Sequence, residues 1–411
     1  MSPLPRRAAV IVFLAFAFAY FFSALLRAIT ATLSPVLTHE FGLNARDLGL
    51  LAGGYFLGFS VTQLPMGAWL DRHGPKKVIL SLLSAAVLGC LAFSAATGFA
   101  WLLAARVLCG AGVSACLMAP LTGYRRWLDA GTQLRANSWM LMTGSLGMVA
   151  STLPVQCLMP LLGWRPLFWV LAGLIALAMV LIAWQVPPWQ AAPSVAGAAL
   201  TRPASYAEVW RHPYFRRMMP IGFFCYGGLL ALQTLWAGPW MVRVAGYAPV
   251  QAAAGLFWIN MTMLATFWAW GLVNPRLARR GFTAERLIAW GLPWSFVLLA
   301  VLVAAGDRLS MMTTVVFALY CICCSFVSLA QPAVGMAFPQ ALAGRALSAY
   351  NLVIFSGVFV VQWGIGLLID GFKAVGLDES TAYRAALGVL LVCCLASHAC
   401  FLRAKPHNRG S

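Results

Sequence analysis

The chain has 411 residues, of which 62% are hydrophobic and only 9% are charged. Soluble globular domains carry about 25% charged residues, so this composition excludes an ordinary soluble protein and indicates a chain that lies in a lipid bilayer. The formal net charge of +18 would suit a nucleic-acid partner, but the basic residues are distributed as in the loops of a membrane protein.

Twelve apolar segments follow one another along the chain, and we number them span 1 to span 12. They lie near residues 9–37, 48–69, 78–97, 101–123, 135–160, 165–186, 216–241, 250–272, 285–304, 311–336, 347–370 and 383–402. A bilayer core about 30 Å thick is crossed by about 20 helical residues. Only helices and closed barrels satisfy their backbone in lipid, and runs this long and continuous are helices. We therefore predict an all-α membrane protein with twelve transmembrane helices.

Span 1 follows Arg6 and Arg7 as the apolar region of a signal sequence would. The apolar run continues too far for cleavage, so we expect span 1 to remain in the protein. Arg27 lies not far past its middle, eight residues before Pro35. An arginine at this depth costs several kcal/mol unless it faces a wet cavity or a partner. We interpret Arg27 as an anion-binding residue; the alternative is a side chain that snorkels to the membrane surface.

The loop between spans 2 and 3 carries the pattern G-x-x-x-D-R-x-G-x-K-K. Its defined positions are Gly67, Asp71, Arg72, Gly74, Lys76 and Lys77. Gly74 followed by proline predicts a tight turn, and three cations in so short a loop indicate the cytoplasmic side. The pattern resembles the signature loop of the major facilitator superfamily. This resemblance implies two six-helix pseudo-symmetric bundles and transport by alternating access.

Span 4 contains Arg106 followed by Gly110 and Gly112, which resembles the R-x-x-x-G-x-G pattern of the same superfamily. The resemblance implies a role for Arg106 in coupling. The alternative is a structural role through hydrogen bonds to the backbone of a nearby helix. Span 5 lacks the Gly-Pro core of the superfamily's proton-driven drug exporters, which disfavours efflux without removing it.

The basic residues are asymmetric across the predicted membrane. Twenty of the 28 lysines and arginines lie in segments that are cytoplasmic if the N-terminus is inside, and six lie on the other side. This bias is the positive-inside rule, so we expect both termini in the cytoplasm of a bacterial-type inner membrane. A Pro-, Ala- and Gly-rich connection at 187–215 predicts a linker. It divides the chain into an N-terminal bundle, 1–186, and a C-terminal bundle with a short tail, 216–411.

The two bundles repeat one another. Arg72 has its counterpart in Arg276 at an offset of 204 residues, but Pro275 takes the position of Asp71. In superfamily members that face outward, the signature loop packs against the start of span 11, which here carries Arg345. A helix N-terminus attracts an anion, so we predict that Asp71 caps span 11. The second loop cannot supply a mirror contact.

The arginine eight residues before a proline in span 1 resembles the glycerol-phosphate and sugar-phosphate permeases and the related anion symporters. Those permeases carry a second arginine in span 7, where this chain has Ala231, and a basic residue in span 2, where it has Gln63. A phosphate dianion favours two cations. One arginine with amides fits a singly charged carboxylate better, so we predict a small organic anion as the substrate.

Polar and aromatic residues in five spans complete the predicted substrate site around Arg27. They are Gln63, Gln233, Trp236, Asn260, Gln331 and Asn351. Gly238 and Pro239 interrupt span 7, which is tolerated where a helix lines a cavity. The alternatives are a tryptophan in the interfacial belt and amides that join helices by hydrogen bonds.

All ten carboxylates fall in loops or at span ends, and Glu40 and Asp370 come closest to the interior. Because no carboxylate is placed to carry a proton, a coupling proton would be recruited by the anionic substrate itself. The eleven cysteines lie almost wholly in apolar runs, and we interpret them as packing residues. A soft-metal path is the alternative, but it lacks a convergent histidine. We find no nucleophile–base set or metal motif, so we expect no enzyme, cofactor or metal site.

The sequence therefore predicts a secondary active transporter that takes up a small organic anion, a carboxylate, by alternating access. The first alternative is proton-driven drug or metabolite efflux, followed by a soft-metal transporter and a membrane sensor built on a transporter scaffold. We expect the partners to be the substrate, the bilayer and, in a symport, protons. We also expect a monomer and no nucleic acid.

Overall fold

A computed structural model describes residues 4–189 and 206–403, apart from the side chains of Asp71, Ala130, Gly131, Leu134, Pro275, Ala278, Gln340 and Ala341. All of its regular elements are helices. In chain order the α-helices are α1 (Arg6–Phe41), α2 (Ala45–Val61), α3 (Gln63–Ser94), α4 (Phe99–Val113), α5 (Ala115–Trp127), α6 (Ala130–Ala150), α7 (Leu153–Leu162), α8 (Trp164–Gln185), α9 (Tyr206–Arg211), α10 (Pro213–Pro220), α11 (Gly227–Ala231), α12 (Ala237–Arg243), α13 (Pro249–Arg279), α14 (Ala284–Ala305), α15 (Thr313–Cys324), α16 (Ala330–Met336), α17 (Gln340–Ala374) and α18 (Glu379–Arg403). Two π-helical turns, Ile221–Tyr226 and Leu232–Trp236, separate α10, α11 and α12.

The described residues contain nine helical stretches that are long and apolar enough to cross a membrane. The number is ten if Arg135–Ala150 and Leu153–Leu162, which are bent by 46°, form one span. The stretch Ala284–Met336 contains predicted spans 9 and 10. Their helices α14 and α15 pack against each other on either side of the turn at Gly306–Met312. The all-α membrane fold is thus confirmed, and the number twelve stays a prediction. The predicted linker 187–215 falls partly outside the described residues.

The sequence marks the turns by glycines and polar caps. Gly42, with φ 61°, ends α1. Asn44 then caps α2 by accepting from the backbone N–H of Asp47, whose carboxylate accepts in return from the backbone N–H of Asn44. Gly74, with φ 76° and ψ 163°, breaks α3 as the sequence predicts. Only glycine adopts these backbone angles at little cost, so both turns are set locally.

The two predicted bundles meet mainly through α2 and α17, and α13 adds a second contact with α6 and α7. We call the end of the molecule with residues 42–44 the first-loop end, and the end with residues 72–76 the signature-loop end. Near the first-loop end, a Cβ on Gly49 would overlap the carbonyl of Gln362, and one on Gly53 would lie 3.0 Å from the ring of Phe359. Small residues therefore let the two backbones touch.

Tryptophans mark the outer surface of the helix bundle. Eight are more than half exposed: Trp101, Trp139, Trp169, Trp184, Trp258, Trp268, Trp290 and Trp294. Exposed tryptophans with apolar neighbours are typical of the membrane–water interface. The surface available to lipid is thus apolar, and the polar groups discussed next lie inside.

Candidate functional site

Arg27 lies deep in the molecule on α1, where the two bundles meet. The centre of its guanidinium is 5.8 Å from the ring centroid of Phe59 on α2 and 5.9 Å from that of Phe355 on α17. A cation over an aromatic face within about 6 Å is attracted by the ring quadrupole. One charged group thus contacts both bundles, which differs from an arginine that snorkels to a helix end.

Tyrosine hydroxyls provide the polar surroundings of Arg27. Tyr20 and Tyr55 lie close enough to interact electrostatically with its guanidinium, and Tyr226 on the first π-helical turn is also close. The Tyr55 hydroxyl donates to the carbonyl of Ser23 over 2.9 Å, which fixes its position. We call this cluster the Arg27 site; its members are Arg27, Tyr20, Tyr55, Phe59, Tyr226 and Phe355.

The guanidinium of Arg27 has no carboxylate partner in the described part of the chain. No ion pair joins it to an acid there, and its buried Nε has no hydrogen-bond partner. Arg27, Tyr226 and Phe355 nevertheless keep some accessible surface. The arrangement can bind an anion with a flat apolar body.

Arg106 on α4 packs against this cluster. Its Nη2 donates to the carbonyl of Leu26 over 2.7 Å, directly before Arg27 in the chain. Its guanidinium centre lies 5.0 Å from the ring centroid of Tyr55, and Gly110 packs against the Tyr55 backbone. Arg106 therefore helps to position both Arg27 and Tyr55, which is the structural alternative for this residue.

The predicted amides occupy separate places. Gln233 donates to Asn260 over 2.9 Å, and Gln331 donates to Asn351 over 2.6 Å. Gln63 donates to the carbonyl of Phe59 in the preceding turn of the chain over 3.2 Å. The first two contacts join neighbouring helices. The structure thus joins four of these amides in pairs, and their predicted contact with a substrate at Arg27 stays a prediction.

Trp236 lies in the second π-helical turn and reaches across the interface between bundles. Its Nε1 donates to the carbonyl of Gln362 over 3.1 Å, and its ring lies 3.2 Å from the position of a Cβ on Gly49. Gln362, which sequence reasoning left outside the site, donates through Nε2 to Thr234 over 2.9 Å. Single π-helical turns are frequent at functional sites. Trp236 is 1% exposed, so it is buried between helices and lies outside the interfacial belt.

The signature loop braces the end of α8. Lys76 donates to the carbonyl of Val186 over 2.9 Å, just past the C-terminus of that helix. Gly74 packs against the ring of Trp189, and Arg126 lies over the same ring at 4.0 Å. A lysine near a helix C-terminus satisfies a carbonyl that has no partner in the helix. The loop is thus fixed within its own bundle.

The other predicted coupling residues of the signature loop are Gly67, Asp71, Arg72 and Lys77. Arg72 and Lys77 are exposed, and a Cβ on Gly67 would meet open space. The side chain of Asp71 is outside the described residues, so its predicted contact with the start of α17 stays a prediction. Arg345, near that start, interacts electrostatically with Tyr206.

Tyr206 on α9 joins the two bundles at the signature-loop end. Its hydroxyl donates to the carbonyl of Leu64 over 3.1 Å, while α9 packs against α17. Partial burial raises the pKa of Tyr206 above its usual range, so at neutral pH the hydroxyl keeps the proton that it donates.

The two carboxylates nearest the interior have structural partners. Glu40 accepts from Nε1 of Trp164 over 2.6 Å and pairs with Arg165. Asp370 accepts from the backbone of α2. Among the described residues, no group of three His, Cys, Asp or Glu side chains could hold a metal ion.

The sequence singles out Arg27 but not the aromatic residues that surround it. Tyr20, Tyr55, Phe59 and Phe355 stand in apolar helices, where an aromatic residue is usually a core or lipid-facing residue. No local pattern separates them from the other aromatic residues of the chain. Only the packing of α1, α2 and α17 places them around one cation.

Comparison with known proteins gives a consistent result. The family described as Major Facilitator Superfamily matches residues 16–362. The chain is 27% identical over 182 residues to the 4-hydroxybenzoate transporter PcaK of Pseudomonas aeruginosa, covering 44% of this chain and 40% of that one. It is 25% identical over 253 residues to the probable sulfoacetate transporter SauU of Cupriavidus necator, covering 57% of each. It is 26% identical over 168 residues to the niacin transporter NiaP of Acinetobacter baylyi, covering 41% and 38%. The chain thus spans about two fifths to three fifths of the length of these relatives.

Solved structures share the fold at low sequence identity. A bacterial homologue of the human lysosomal transporter Spinster, in an inward-facing unoccupied conformation, gives a TM-score of 0.78 at 15% identity, covering 98% of both chains. A D-xylose–proton symporter gives 0.78 at 14% identity, covering 98% of this chain and 99% of that one. At this identity the likeness concerns the fold alone.

Proposed function

The chain belongs to the major facilitator superfamily, and from that premise we propose that it transports a small carboxylate carried on a planar ring by alternating access around Arg27. The observation that carries the proposal is the guanidinium of Arg27, which touches two aromatic rings and has no acidic partner among the described residues. A buried cation without a carboxylate partner is costly. An incoming anion removes that cost.

The charge of the site limits the charge of the ligand. A carboxylate matches the two parallel N–H groups of one guanidinium. Arg106 is fully buried, donates from Nη2 to the carbonyl of Leu26 and packs against Tyr55, whereas Arg27 keeps accessible surface. Because only one of these two arginines is accessible, the site favours a monoanion over a phosphate dianion.

The walls of the site limit the shape of the ligand. Phe59 and Phe355 flank the guanidinium, so a carboxylate bound to Arg27 carries its body against aromatic rings. Aromatic pairs gain about 0.5–1.5 kcal/mol beyond area burial, which favours a flat aromatic acid. The names of two relatives support this class, since hydroxybenzoate and niacin are both carboxylates on aromatic rings; sulfoacetate in a third name supports only an organic anion.

The position of Arg27 suits alternating access. The site lies where α1 and α2 of one bundle meet α17 of the other, and transporters of this kind rock two repeats around a fixed central site. We propose uptake, with the proton in any symport carried together with the anion, because the site holds no carboxylate of its own among the described residues. We further propose a monomer.

Counterflow in proteoliposomes tests the proposed substrate class. Purified protein is reconstituted with internal benzoate, and uptake of labelled benzoate, acetate, glycerol phosphate and a panel of cationic drugs is compared. Benzoate should exchange, and glycerol phosphate should not. Exchange of the phosphate but not of any carboxylate would overturn the proposal.

The orientation in the membrane is proposed from the bias of positive charge. We place both termini in the cytoplasm of a bacterial-type inner membrane. Cysteines at Ser2, Ala196 and Ser411, all outside the described residues, should then resist an impermeant thiol reagent in intact cells. Efficient labelling at any of them would reverse the orientation.

A further inference from the structure

Asp370, near the end of α17, binds the start of α2 on the other bundle. Its Oδ1 accepts from the backbone N–H of Ala45 over 3.2 Å, and its Oδ2 accepts from the backbone N–H of Arg46 over 2.7 Å. The carboxylate therefore uses both oxygens on two successive N–H groups. In the chain, Asp370 lies 325 positions from Ala45 and 324 positions from Arg46.

The chemistry of a helix start makes this contact favourable. The first N–H groups of a helix have no partner within the helix, and the helix dipole adds partial positive charge there. In α2 the local cap serves a different donor, since Asn44 accepts from the N–H of Asp47 over 2.9 Å. Asp370 thus supplies the acceptors for the backbone N–H groups of Ala45 and Arg46, and no side chain of α2 does so in its place.

The surrounding packing holds Asp370 at this distance. Gly366, one turn earlier in α17, packs against the carbonyl of Ala45, and Gly49 of α2 packs against the carbonyl of Gln362. The two backbones therefore touch directly beside the carboxylate. Any separation of the bundles at the first-loop end lengthens both hydrogen bonds of Asp370.

A cavity of about 320 Å³ lies next to this contact, lined by Asp370 together with Arg243, Lys373 and Glu379. Both cations pair with Glu379, at 3.8 Å for Arg243 and 3.9 Å for Lys373. Neither forms an ion pair with Asp370 within the described chain. The carboxylate of Asp370 is therefore available to bind the start of α2. When the two bundles separate, water in the polar cavity can donate to this carboxylate in place of the two N–H groups.

We propose that Asp370 is the releasable clamp that closes the first-loop end of the transporter. The proposal rests on alternating access, and it concerns a residue outside the Arg27 site. With the clamp formed, α2 and α17 stay in contact at this end. With the clamp broken, the bundles separate there and the first-loop end opens.

Distances between spin labels test the clamp without any substrate. Labels are placed at His39→Cys and Val375→Cys, exposed positions of α1 and of the residue after α17. The exposed cysteines Cys157 and Cys400 are replaced by serine. Asp370→Ala should move the population towards longer distances by about tenfold, which corresponds to about 1.4 kcal/mol. Asp370→Asn, which keeps one acceptor oxygen, should give a smaller shift in the same direction.

Asp47→Asn is the matched control, because Asp47 caps the same helix start without crossing to the other bundle. It should leave the distance distribution unchanged. An unchanged distribution in Asp370→Ala, or an equal shift in Asp47→Asn, overturns the proposal. Apparent melting temperatures close to that of the parent show that the Asp370 variants are folded, and Asp370→Asn is the near-isosteric variant if the alanine variant unfolds.

Binding measurements separate this proposal from the proposed substrate. Asp370→Ala should slow net transport severalfold while benzoate affinity stays within about twofold, since the Arg27 site is not touched. If benzoate does not bind the parent protein, the substrate class is wrong, but the label distances still decide the clamp.

Discussion

The rings of Phe59 and Phe355 lie 4.4 Å apart between centroids, with planes inclined by 52°, and Arg27 lies over both. Phe59 belongs to α2 and Phe355 to α17, so this aromatic pair joins the two bundles beneath the central cation. In the proposed function, a substrate anion bound to Arg27 lies against these rings. We therefore expect the pair to contribute to closure of the bundles and to substrate selection.

Phe355→Ala should reduce discrimination between aromatic and saturated acids. We expect benzoate to bind roughly 2- to 10-fold more weakly, since ring–ring contact contributes about 0.5–1.5 kcal/mol beyond burial, while cyclohexanecarboxylate changes less. Inhibition of counterflow by the two acids measures the ratio. Phe296→Ala is the control, because Phe296 packs against His398 within the second bundle. An unchanged ratio in Phe355→Ala would show that this ring does not select the substrate.

Arg27→Lys should keep the charge and lose the two-pronged geometry of the guanidinium. Binding of a carboxylate should weaken at least tenfold in Arg27→Lys and become undetectable in Arg27→Ala, with both proteins still folded. Scintillation proximity or calorimetry on purified protein measures the affinity. Arg308→Lys, at an exposed arginine, serves as the control and should bind as the parent does. Transport at the parent rate by Arg27→Ala would contradict the anion-binding role.

Arg27 could be predicted because a charge inside a long apolar run is rare and costly, so a single residue carries a signal. The turn at Gly74 could be predicted for a similar reason, since glycine followed by proline specifies the backbone locally. The Arg27 site as a whole could not be predicted in this way. Phe59 and Phe355 have the composition of ordinary packing residues, and their role depends on the contact between α2 and α17.

Asp370 shows a second limit of sequence reasoning. Its position near the end of a span was visible, but its partners are main-chain N–H groups of Ala45 and Arg46, which every sequence contains. No side-chain pattern can reveal a partner of that kind at such a separation. The pairing of Gln233 with Asn260 is a similar case, because two amides in different spans carry no local sign that they meet.

Two glycines of the signature loop should respond oppositely to alanine. Gly74→Ala should destabilise the protein by more than about 1 kcal/mol, because φ is 76° and the new Cβ would overlap the ring of Trp189. Gly67→Ala should be neutral or stabilising by up to about 1 kcal/mol, since Gly67 is helical and its Cβ would meet open space. Apparent melting temperatures in one detergent compare the two. Equal effects would contradict the proposed brace against Trp189.

The contact at Asp370 has a predicted counterpart at the opposite end of α17. At the signature-loop end α17 begins at Gln340, and its N-cap Pro339 supplies no side-chain cap. The sequence predicts that Asp71 takes that role. The two bundles would then exchange caps, with Asp370 of α17 on the start of α2 and Asp71 of α3 on the start of α17.

Asp71→Asn should therefore shift the balance towards the state that is open at the signature-loop end. A helix start stabilises a nearby anion by about 0.3–1 kcal/mol, and by up to about 2 kcal/mol when the anion is partly buried. We expect about 1–2 kcal/mol here because Arg345 adds a full charge nearby, which gives a population change of roughly 5- to 30-fold. Spin labels at His73→Cys and Gly344→Cys, two exposed positions, report the distance at this end. An unchanged distribution would show that Asp71 is not a latch.

The double variant Asp71→Asn with Asp370→Asn tests whether the two caps oppose each other. Each single change favours opening at its own end, and the two open states compete for the same molecules. The effects should therefore largely cancel in the ratio of the two states, so that both label pairs return towards the parent distributions. Turnover should nevertheless differ from the parent, because both closed ends have lost a stabilising contact. If single molecules of the double variant are instead open at both ends at once, the two ends open independently. The exchange of caps then does not govern the transport cycle.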